Sequence, residues 1–176
     1  YGGYRMRRGE KGRRKDWKSR ENIQSWFLNI VLENQYSMFR TARAILDNNA
    51  DEEDACQEAI LRAWIALEKL KNPDSARSWL LKITVNAAYS IRRKQKKLVC
   101  VETLPETEAE EPEEKHRLRE KVEKLREKLR LVIVLYYYEG FTVAEISEIL
   151  RISQGTVKSR LSRGREQLRP LLREEE

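Results

Sequence analysis

The sequence is poor in the residues that build metal centres and covalent catalytic sites. It has one histidine, His116, and two cysteines, Cys56 and Cys100, which form no CxxC pair. Zinc sites need closely spaced Cys and His ligands, disulfide frameworks need more cysteines, and a cysteine nucleophile needs a partner histidine. The sequence therefore predicts no metal, no cofactor and no disulfide, and it favours a reducing compartment, the cytoplasm.

Long apolar runs are lacking as well. No stretch approaches the roughly 18 apolar residues that a membrane-spanning helix needs. The first twenty residues are basic and have no apolar segment typical of a secretory signal, so we expect no membrane insertion. The many carboxylates are not grouped with His or Lys in a pattern typical of acid–base or metal catalysis, and we expect that the protein is not an enzyme.

Charge is what the sequence has in abundance. Charged residues make up 37% of the 176, and 36 Lys and Arg against 29 Asp and Glu give a formal net charge of +7. This balance favours a polyanionic partner, which is either nucleic acid or an anionic membrane surface. The net charge alone does not choose between the two.

The composition changes abruptly in the middle of the chain. Residues 98–115, LVCVETLPETEAEEPEEK, hold seven glutamates and two prolines, and we expect a flexible acidic linker because such a segment cannot bury a core. The flanking segments repeat apolar residues at helical spacing. The sequence therefore predicts an all-α fold of two small helical domains, 22–97 and 116–176. A basic arm, 1–21, precedes them; it either adds nonspecific DNA affinity or is disordered, and we favour disorder.

A helix predicted over residues 51–70 carries apolar residues on two opposite sides. One side is an ordinary core stripe of Cys56, Ile60, Ala63, Trp64 and Leu67. Leu61 and Ile65 fall almost opposite, beside acidic and amide side chains. Either another helix covers them, or they form an exposed apolar strip on which a partner protein docks. We favour docking.

The next predicted helix follows the turn signal NPDS at 72–75, is apolar nearly all round, and ends in a basic cluster. Five cations occupy six positions there: Arg92, Arg93, Lys94, Lys96 and Lys97. A basic C-terminus complements the helix dipole, but five cations exceed that need, so we expect phosphate contacts. Polar Thr84 and Asn86 interrupt the apolar stretch, and the simplest expectation for them is a satisfied hydrogen bond in the core.

The C-terminal domain contains the pattern of a helix-turn-helix. Residues 116–140 show helical spacing and end at Gly140, a predicted C-cap. Thr142 and Glu145 have the spacing of a capping box, so a helix begins there. Ser153 is a good N-cap for a second helix after a turn at 151–153 with an apolar centre. Two short helices joined in this way are typical of a DNA-binding helix-turn-helix.

The second helix of that motif, SQGTVKSRLSRGREQL, separates into two faces. Its predicted core edge consists of Val157, Leu161, Gly164 and Leu168. The opposite face is small and hydrogen-bonding at its centre with cations at its edges, which is what a helix in the major groove requires. A merely solvated helix more often shows long Glu and Lys side chains, and a membrane-surface helix shows a wider apolar face. We therefore predict that this helix reads DNA.

Three motifs together resemble a known family. They are DEEDACQEAILRAW, SWLLKITVNAAYSIRRKQKK and LYYYEGFTVAEISEILRISQGTVKSRLSRGREQLRPLL. Their order resembles that of bacterial sigma-70 family sigma factors, more narrowly the extracytoplasmic-function (ECF) subclass, over nearly the whole chain after about Asn22. The resemblance implies a factor that binds core RNA polymerase, directs it to promoter DNA and helps to melt that DNA. It also implies an anti-sigma factor as a partner.

The resemblance assigns residues to three contacts. Docking on the clamp helices of the β′ subunit is implied for Asp54, Gln57, Glu58, Leu61, Arg62 and Ile65. Reading and opening of the −10 element, with a flipped base held in a loop pocket, is implied for Asn72, Ser75, Lys82, Asn86, Arg92, Arg93, Lys94, Lys96 and Lys97. Reading of the −35 element beside the flap of the β subunit is implied for Gln154, Gly155, Thr156, Lys158, Ser159, Arg160, Ser162 and Arg163. The acidic linker resembles the segment that enters the RNA exit path.

The sequence departs from the family pattern at one place. LREKLR at 125–130 stands where many relatives carry LPxxxR, and without that proline we expect the helix from His116 to continue unbroken. Two other functions stay open. A helix-turn-helix regulator that binds DNA as a dimer without polymerase leaves Leu61 and Ile65 unexplained, and an enzyme acting on nucleic acid lacks a catalytic cluster.

Overall fold

The computed structural model describes residues 20–97 and 119–173. The predicted linker, 98–115, and nearly all of the predicted basic arm, 1–21, lie outside the described residues. Within the described ranges every regular element is helical, which confirms the all-α prediction. The described residues divide into two compact units, one on each side of the Glu33–Asn34 boundary, and the helices that follow Asn34 pack together within the second. The division into domains 22–97 and 116–176 stays a prediction.

Six α-helices position the residues of interest. They are α1 (Arg20–Arg43), α2 (Asn49–Ile65), α3 (Ala76–Lys97), α4 (Glu127–Ile133), α5 (Val143–Leu150) and α6 (Gln154–Arg173). Two short 3₁₀ turns, Leu67–Lys69 and Pro73–Ser75, join α2 to α3. A π-helical turn, Val134–Tyr138, extends α4.

Helix α2 packs on α3 through small side chains. Asn48 caps its start, because the Asn48 side chain accepts a hydrogen bond from the Asp51 amide at 2.9 Å. The fully buried positions of α2 are Ala55, Ala59 and Ala63, which lets the two helix backbones approach closely. Trp64, which the sequence placed in the core stripe, is exposed. That prediction was wrong because the helix buries its alanine face and turns its large side chains outward.

Helix α3 supplies much of the core of the second unit. Thr84 is fully buried, and its hydroxyl donates to the Leu80 carbonyl at 3.0 Å, which confirms the expected core hydrogen bond. The same expectation was wrong for Asn86, whose side chain lies on the exposed side of the helix. Thr84 therefore stabilises the core, whereas Asn86 is accessible to a partner.

The helix-turn-helix forms as predicted. Thr142 and Glu145 make both hydrogen bonds of a capping box, and Ser153 Oγ accepts from the Thr156 amide at 3.1 Å. Gly140 adopts φ +70°, a left-handed conformation that glycine reaches without steric cost. Arg151 ends α5 with φ 53°, also left-handed, and the reversal of the chain there separates α5 from α6.

The chain before α4 breaks, contrary to the prediction of a continuous helix from His116. Residues 119–123 are helical, but Arg126 is extended, with φ −59° and ψ 136°, and α4 begins after it. Arg130 stabilises the break, because its Nη1 donates to the Glu123 carbonyl at 2.8 Å and its Nε donates to the Ala44 carbonyl at 2.9 Å. This chain lacks the proline of the family pattern, and the break is instead held by a hydrogen bond to a residue 86 positions earlier in the chain.

Helix α6 crosses α4 at close range. A Cβ atom at Gly164 would lie 2.9 Å from Cγ1 of Ile133, nearer than a real Cβ approaches a neighbour. Only glycine therefore allows the two helices to come this close without a shift. Val157, Leu161 and Leu168 are buried beside it, which confirms the predicted core edge of α6.

Candidate functional site

The first candidate surface is an apolar strip on α2 formed by Leu61, Trp64 and Ile65. Their side chains are 56%, 42% and 73% exposed. Burying an aliphatic side chain of this size is worth about 1.5–3 kcal/mol, so leaving three large apolar groups in water forgoes a substantial stabilisation. Such a strip is characteristic of a docking surface. The sequence identified Leu61 and Ile65 but not Trp64.

Polar groups border the apolar strip along the same helix. The Arg62 Nε donates to Glu58 Oε1 at 2.7 Å, which holds both side chains beside Leu61. Gln57 and Asp54, one and two turns before Leu61, are exposed. The structure therefore brings all six residues predicted for polymerase docking onto one helix.

The buried side of α2 holds two ionisable groups that are not part of this surface. Burial raises the pKa of the Cys56 thiol to about 12, and the carboxylates of Glu52 and Glu53 act in the same direction. The thiol is therefore protonated at neutral pH and is a poor nucleophile. Burial also raises the pKa of Glu52, while the nearby Arg43, with its Nε 3.1 Å from Glu52 Oε2, opposes the shift.

The second candidate surface is the loop before α3. Asn72 Oδ1 accepts from the Asp74 amide at 3.1 Å, and Ser75 Oγ donates to the Asn72 carbonyl at 2.8 Å. Both interactions fix the backbone of the Pro73–Ser75 turn, and Asn72 remains exposed. Local hydrogen bonds of this type hold a loop in one conformation before any ligand arrives.

A polar stripe on α3 continues from this loop. Lys82, Asn86 and Arg93 share one side of the helix because their spacing is four and seven residues. Asn86 and Arg93 are exposed, and Lys82 is half-buried. Lys94 is exposed beside them. Lys96 and Lys97 form the last turn of the helix.

Arg92 does not join the other cations of α3. Its guanidinium lies 2.8 Å from the Glu127 carboxylate and also donates to the Ile45 carbonyl. Tyr89, one turn earlier, hydrogen-bonds to the same Glu127, and burial together with that bond raises the pKa of the phenol. These two side chains of α3 are therefore committed to contacts within the fold.

The third candidate surface is the outer face of α6. The eight residues predicted to read the −35 element all lie on this one helix. Gln154, Gly155, Lys158, Ser159, Ser162 and Arg163 are exposed, and Thr156 and Arg160 are half-buried. Ser159 Oγ bonds back to the Thr156 carbonyl at 3.0 Å, so the centre of the face stays small. The face combines hydrogen-bonding groups with cations at its edges, as base and phosphate contacts require.

A cleft of 560 Å³ lies beside this face. It is lined by Arg126, Glu127, Lys128, Leu129, Thr156, Ser159, Arg160, Arg163 and Gln167. Four cations against one carboxylate make it electropositive, which suits a nucleic-acid backbone. The sequence prediction omitted Arg126 and Lys128. Both belong to the LREKLR segment, and the departure of that segment from the family pattern is the sequence feature that could have indicated them.

Comparison with known proteins decides the family. The family model for sigma-70 region 2 matches residues 30–98, and the model for sigma-70, region 4, matches residues 115–168. The ECF RNA polymerase sigma factor SigW of Bacillus subtilis is 32% identical over 170 residues, which cover 86% of this chain and 91% of SigW. This chain belongs to the ECF sigma factors of the sigma-70 family. RNA polymerase sigma factor SigV of the same organism is 28% identical, covering 90% of this chain and 98% of SigV.

Solved structures support the fold of this sigma factor. The sigma factor RpoE of Bartonella quintana, in complex with the anti-sigma factor NepR, gives a TM-score of 0.73 at 22% identity, over 89% of this chain and 99% of that chain. CnrH, in complex with the cytosolic domain of CnrY, gives a TM-score of 0.63 at 26% identity, over 87% and 91% of the two chains. The all-helical architecture of the sigma factor is thus shared with solved members of the family.

Two further observations concern the part of the sigma factor that the structure describes. In residues 20–97 and 119–173, no group of three or more His, Cys, Asp and Glu side chains is placed to hold a metal ion. Over the same ranges, no helix has both the length and the apolar character needed to cross a membrane.

Proposed function

We propose that this chain is the promoter-specificity subunit of a bacterial RNA polymerase: it binds the core enzyme and directs it to promoters whose −10 and −35 elements it reads. One observation carries the proposal. The same chain presents an exposed apolar strip on α2 and a polar, cation-edged face on α6. A regulator that binds DNA by itself accounts for the second surface but leaves the first unexplained, whereas a sigma factor needs both.

The apolar strip is the proposed dock for the clamp helices of the β′ subunit. Leu61, Trp64 and Ile65 supply the desolvated centre of the interface, and the Glu58–Arg62 pair forms its polar rim. Asp54 and Gln57 extend the rim toward the start of α2. An apolar centre with a charged border gives both affinity and a defined orientation.

The loop of Asn72 and Ser75 is proposed to receive a base flipped out of the −10 element. Its internal hydrogen bonds fix the loop before DNA arrives, so less ordering entropy is lost on binding. Lys82, Asn86 and Arg93 lie along α3, where they are proposed to follow the separated strand. Lys94, Lys96 and Lys97 then meet its phosphates.

Helix α6 is proposed to enter the major groove of the −35 element. Small Gly155 and Ser159 let the helix approach the bases, while Lys158, Arg160 and Arg163 contact phosphates or guanine edges. The basic cleft beside the helix supports this proposal because Arg126 and Lys128 add positive charge next to the reading face. The flap of the β subunit is the proposed protein contact of this domain.

We further propose a cytoplasmic protein without a catalytic step, metal or cofactor of its own, held inactive by an anti-sigma factor until needed. The cationic groups of α3 and α6 serve binding in this proposal, and the raised pKa of Cys56 argues against a reactive thiol. The chemistry of transcription belongs to the polymerase that the factor recruits.

Reconstituted transcription tests the proposal. The purified chain is mixed with core polymerase, and promoters are selected from random DNA by the transcripts they yield. We expect specific transcripts only when the chain and core are both present, with weak promoter binding by the chain alone. Core polymerase without the chain is the control. Tight binding of a free dimer to a palindromic site, with no effect on the polymerase, would show a helix-turn-helix regulator instead.

A further inference from the structure

The cleft beside α6 is lined by cations on two sides. Arg126, which precedes α4, and Lys128 of α4 lie on one side, and Arg160 and Arg163 of α6 lie on the other. Within residues 20–97 and 119–173, no carboxylate lies at ion-pair distance from any of the four. Like charges gathered in a concave site repel one another until an anion enters, so the cleft attracts an anionic ligand.

Arginines that stabilise the fold are arranged differently. Arg43 lies 3.1 Å from the buried carboxylate of Glu52. Arg77 lies 2.7 Å from the buried carboxylate of Glu139. Arg130 donates hydrogen bonds to two backbone carbonyls. Each of these guanidiniums has its partner within the described fold, whereas the cations of the cleft keep their charge for a ligand.

The acidic residue of the cleft lining does not neutralise these cations. Glu127 lies 2.8 Å from Arg92 and accepts a hydrogen bond from Tyr89, and both partners belong to α3. Its negative charge is therefore balanced from α3 and not by the cations of the cleft. The cleft remains electropositive although a carboxylate lines it.

Arg126 occupies a backbone position that suits proline. Its φ of −59° lies in the range to which the proline ring is confined, and its ψ of 136° is extended. The Arg126 amide donates no hydrogen bond to another residue of the described ranges, so proline would forfeit none there. Proline at such a position usually stabilises a protein because it restricts the unfolded chain. An exposed arginine forgoes that stabilisation and offers a cation, at the position where the family pattern has proline.

The cleft continues the face of α6 that is proposed to enter the major groove. Four residues belong both to the cleft lining and to the set predicted to read the −35 element: Thr156, Ser159, Arg160 and Arg163. The two sugar–phosphate backbones border the major groove, so a duplex on this face brings one backbone alongside the flank of α6. The cleft lies on the flank that faces the start of α4.

We propose that the cleft binds the sugar–phosphate backbone at one edge of the −35 element, and that Arg126 contacts a phosphate there from the side opposite α6. The ligand is a phosphodiester of duplex DNA, recognised by its charge and not by its sequence. The inference rests on the proposed function, because it adds a contact to the DNA that α6 reads. It gives a residue outside the helix-turn-helix a share in promoter affinity and none in the choice of bases.

Two substitutions at Arg126 separate its charge from its backbone. Arg126→Gln removes the cation and keeps a flexible side chain. Arg126→Pro removes the cation and confines φ to the range that Arg126 already adopts. Lys124→Gln is the matched control, because Lys124 is exposed two residues earlier and does not line the cleft. All three variants are made in the full chain and assembled with core polymerase.

We expect both Arg126 variants to weaken binding of the holoenzyme to a promoter fragment on the order of fivefold, equally for every −35 sequence. The slope of log K against log salt concentration should become shallower by about 0.9, the change for one phosphate contact. Lys124→Gln should leave both quantities at the values of the unmodified holoenzyme. Urea titration of Arg126→Pro should give a midpoint at or above that of the unmodified chain. If Arg126→Pro does not fold, Arg126→Gln decides the test.

Three outcomes would overturn the proposal. Equal affinities and equal slopes for Arg126→Gln and Lys124→Gln would show only a general effect of charge. A loss confined to particular −35 sequences would make Arg126 a base contact. Because a free polyphosphate has the same chemistry, inorganic pyrophosphate is also titrated into the unmodified chain and Arg126→Gln at constant ionic strength. Saturable pyrophosphate binding that needs Arg126, with unchanged promoter affinity, would assign the cleft to a soluble polyphosphate instead of DNA.

The two proposals fail in different ways. Absence of promoter-specific transcription by the unmodified chain with core polymerase contradicts the proposed function. Normal transcription by the unmodified chain, with a promoter affinity and a salt slope that Arg126→Gln does not change, contradicts the phosphate site alone.

Discussion

Helices α2 and α6 carry two of the proposed binding surfaces, and they divide their residues in opposite ways. Helix α2 buries small alanines and exposes Leu61, Trp64 and Ile65, whereas α6 buries Val157 and Leu161 and exposes small polar and cationic residues. Both helices follow the usual period, so the difference lies in which face the fold covers. A large apolar residue on a helix thus need not belong to the core, and on α2 such residues form the strip proposed as a binding surface.

The same contrast separates folding from function along the chain. Side chains exposed on α2 contribute little to folding, because they remain in water in the folded state. Side chains on the inner edge of α6 contribute fully to folding because they are buried, whereas those on its outer face contribute little. The same change from an apolar to a charged residue should therefore lower stability on α6 and weaken partner binding, without loss of stability, on α2.

The largest effect is expected for Leu161→Asp. Leu161 is 3% exposed, so this change buries a carboxylate against α4 and removes the packing of a leucine. We expect the free energy of unfolding to fall by about 4 kcal/mol or more, enough to unfold the helix-turn-helix. Urea titration followed by circular dichroism measures it, and a stability equal to that of the unmodified chain would contradict the buried edge of α6.

Leu61→Asp is the matched substitution on α2. Because Leu61 is already exposed, we expect the urea midpoint to stay within error while binding to core polymerase weakens by more than about 2 kcal/mol. Fluorescence anisotropy with labelled factor gives the affinity. Glu53→Gln, also exposed on α2 but outside the apolar strip, is the control. Loss of stability together with binding would mean that Leu61 belongs to the core.

Arg163→Ala, on the outer face of α6, is expected to have the smallest effect. It should leave stability unchanged and weaken −35 recognition by about 1–3 kcal/mol if the guanidinium reads a base. Competition among promoter variants measures the specificity of the holoenzyme. A uniform loss across all sequences would instead make Arg163 a phosphate contact, and the salt dependence of binding would fall with it.

Local signals allowed much of the fold to be predicted. The capping box at Thr142, the left-handed Gly140 and the core edge around Val157 each depend on residues within a few positions of one another. The resemblance to sigma factors depended on three such segments in order. The family it predicted is confirmed, whereas the roles of the individual residues stay predictions.

Features set by contacts between distant parts of the chain could not be predicted from the sequence. The break before α4 depends on Arg130 reaching Ala44, and Trp64 is exposed because α3 covers the alanine face of α2. Arg92 was predicted only as a phosphate contact, since nothing near it in the sequence indicates Glu127. Helix periodicity tells which residues share a face, but not which other helix will cover it.

The close crossing at Gly164 has a consequence for how promoter choice can evolve. Because a Cβ atom there would meet the Ile133 side chain, a larger residue requires Ile133 or α6 to shift, and a shift of α6 would carry the proposed reading face, Arg163 included, with it. We therefore expect that a substitution on the hidden side of the helix can change which promoters are preferred. None of the residues proposed to contact DNA has to change.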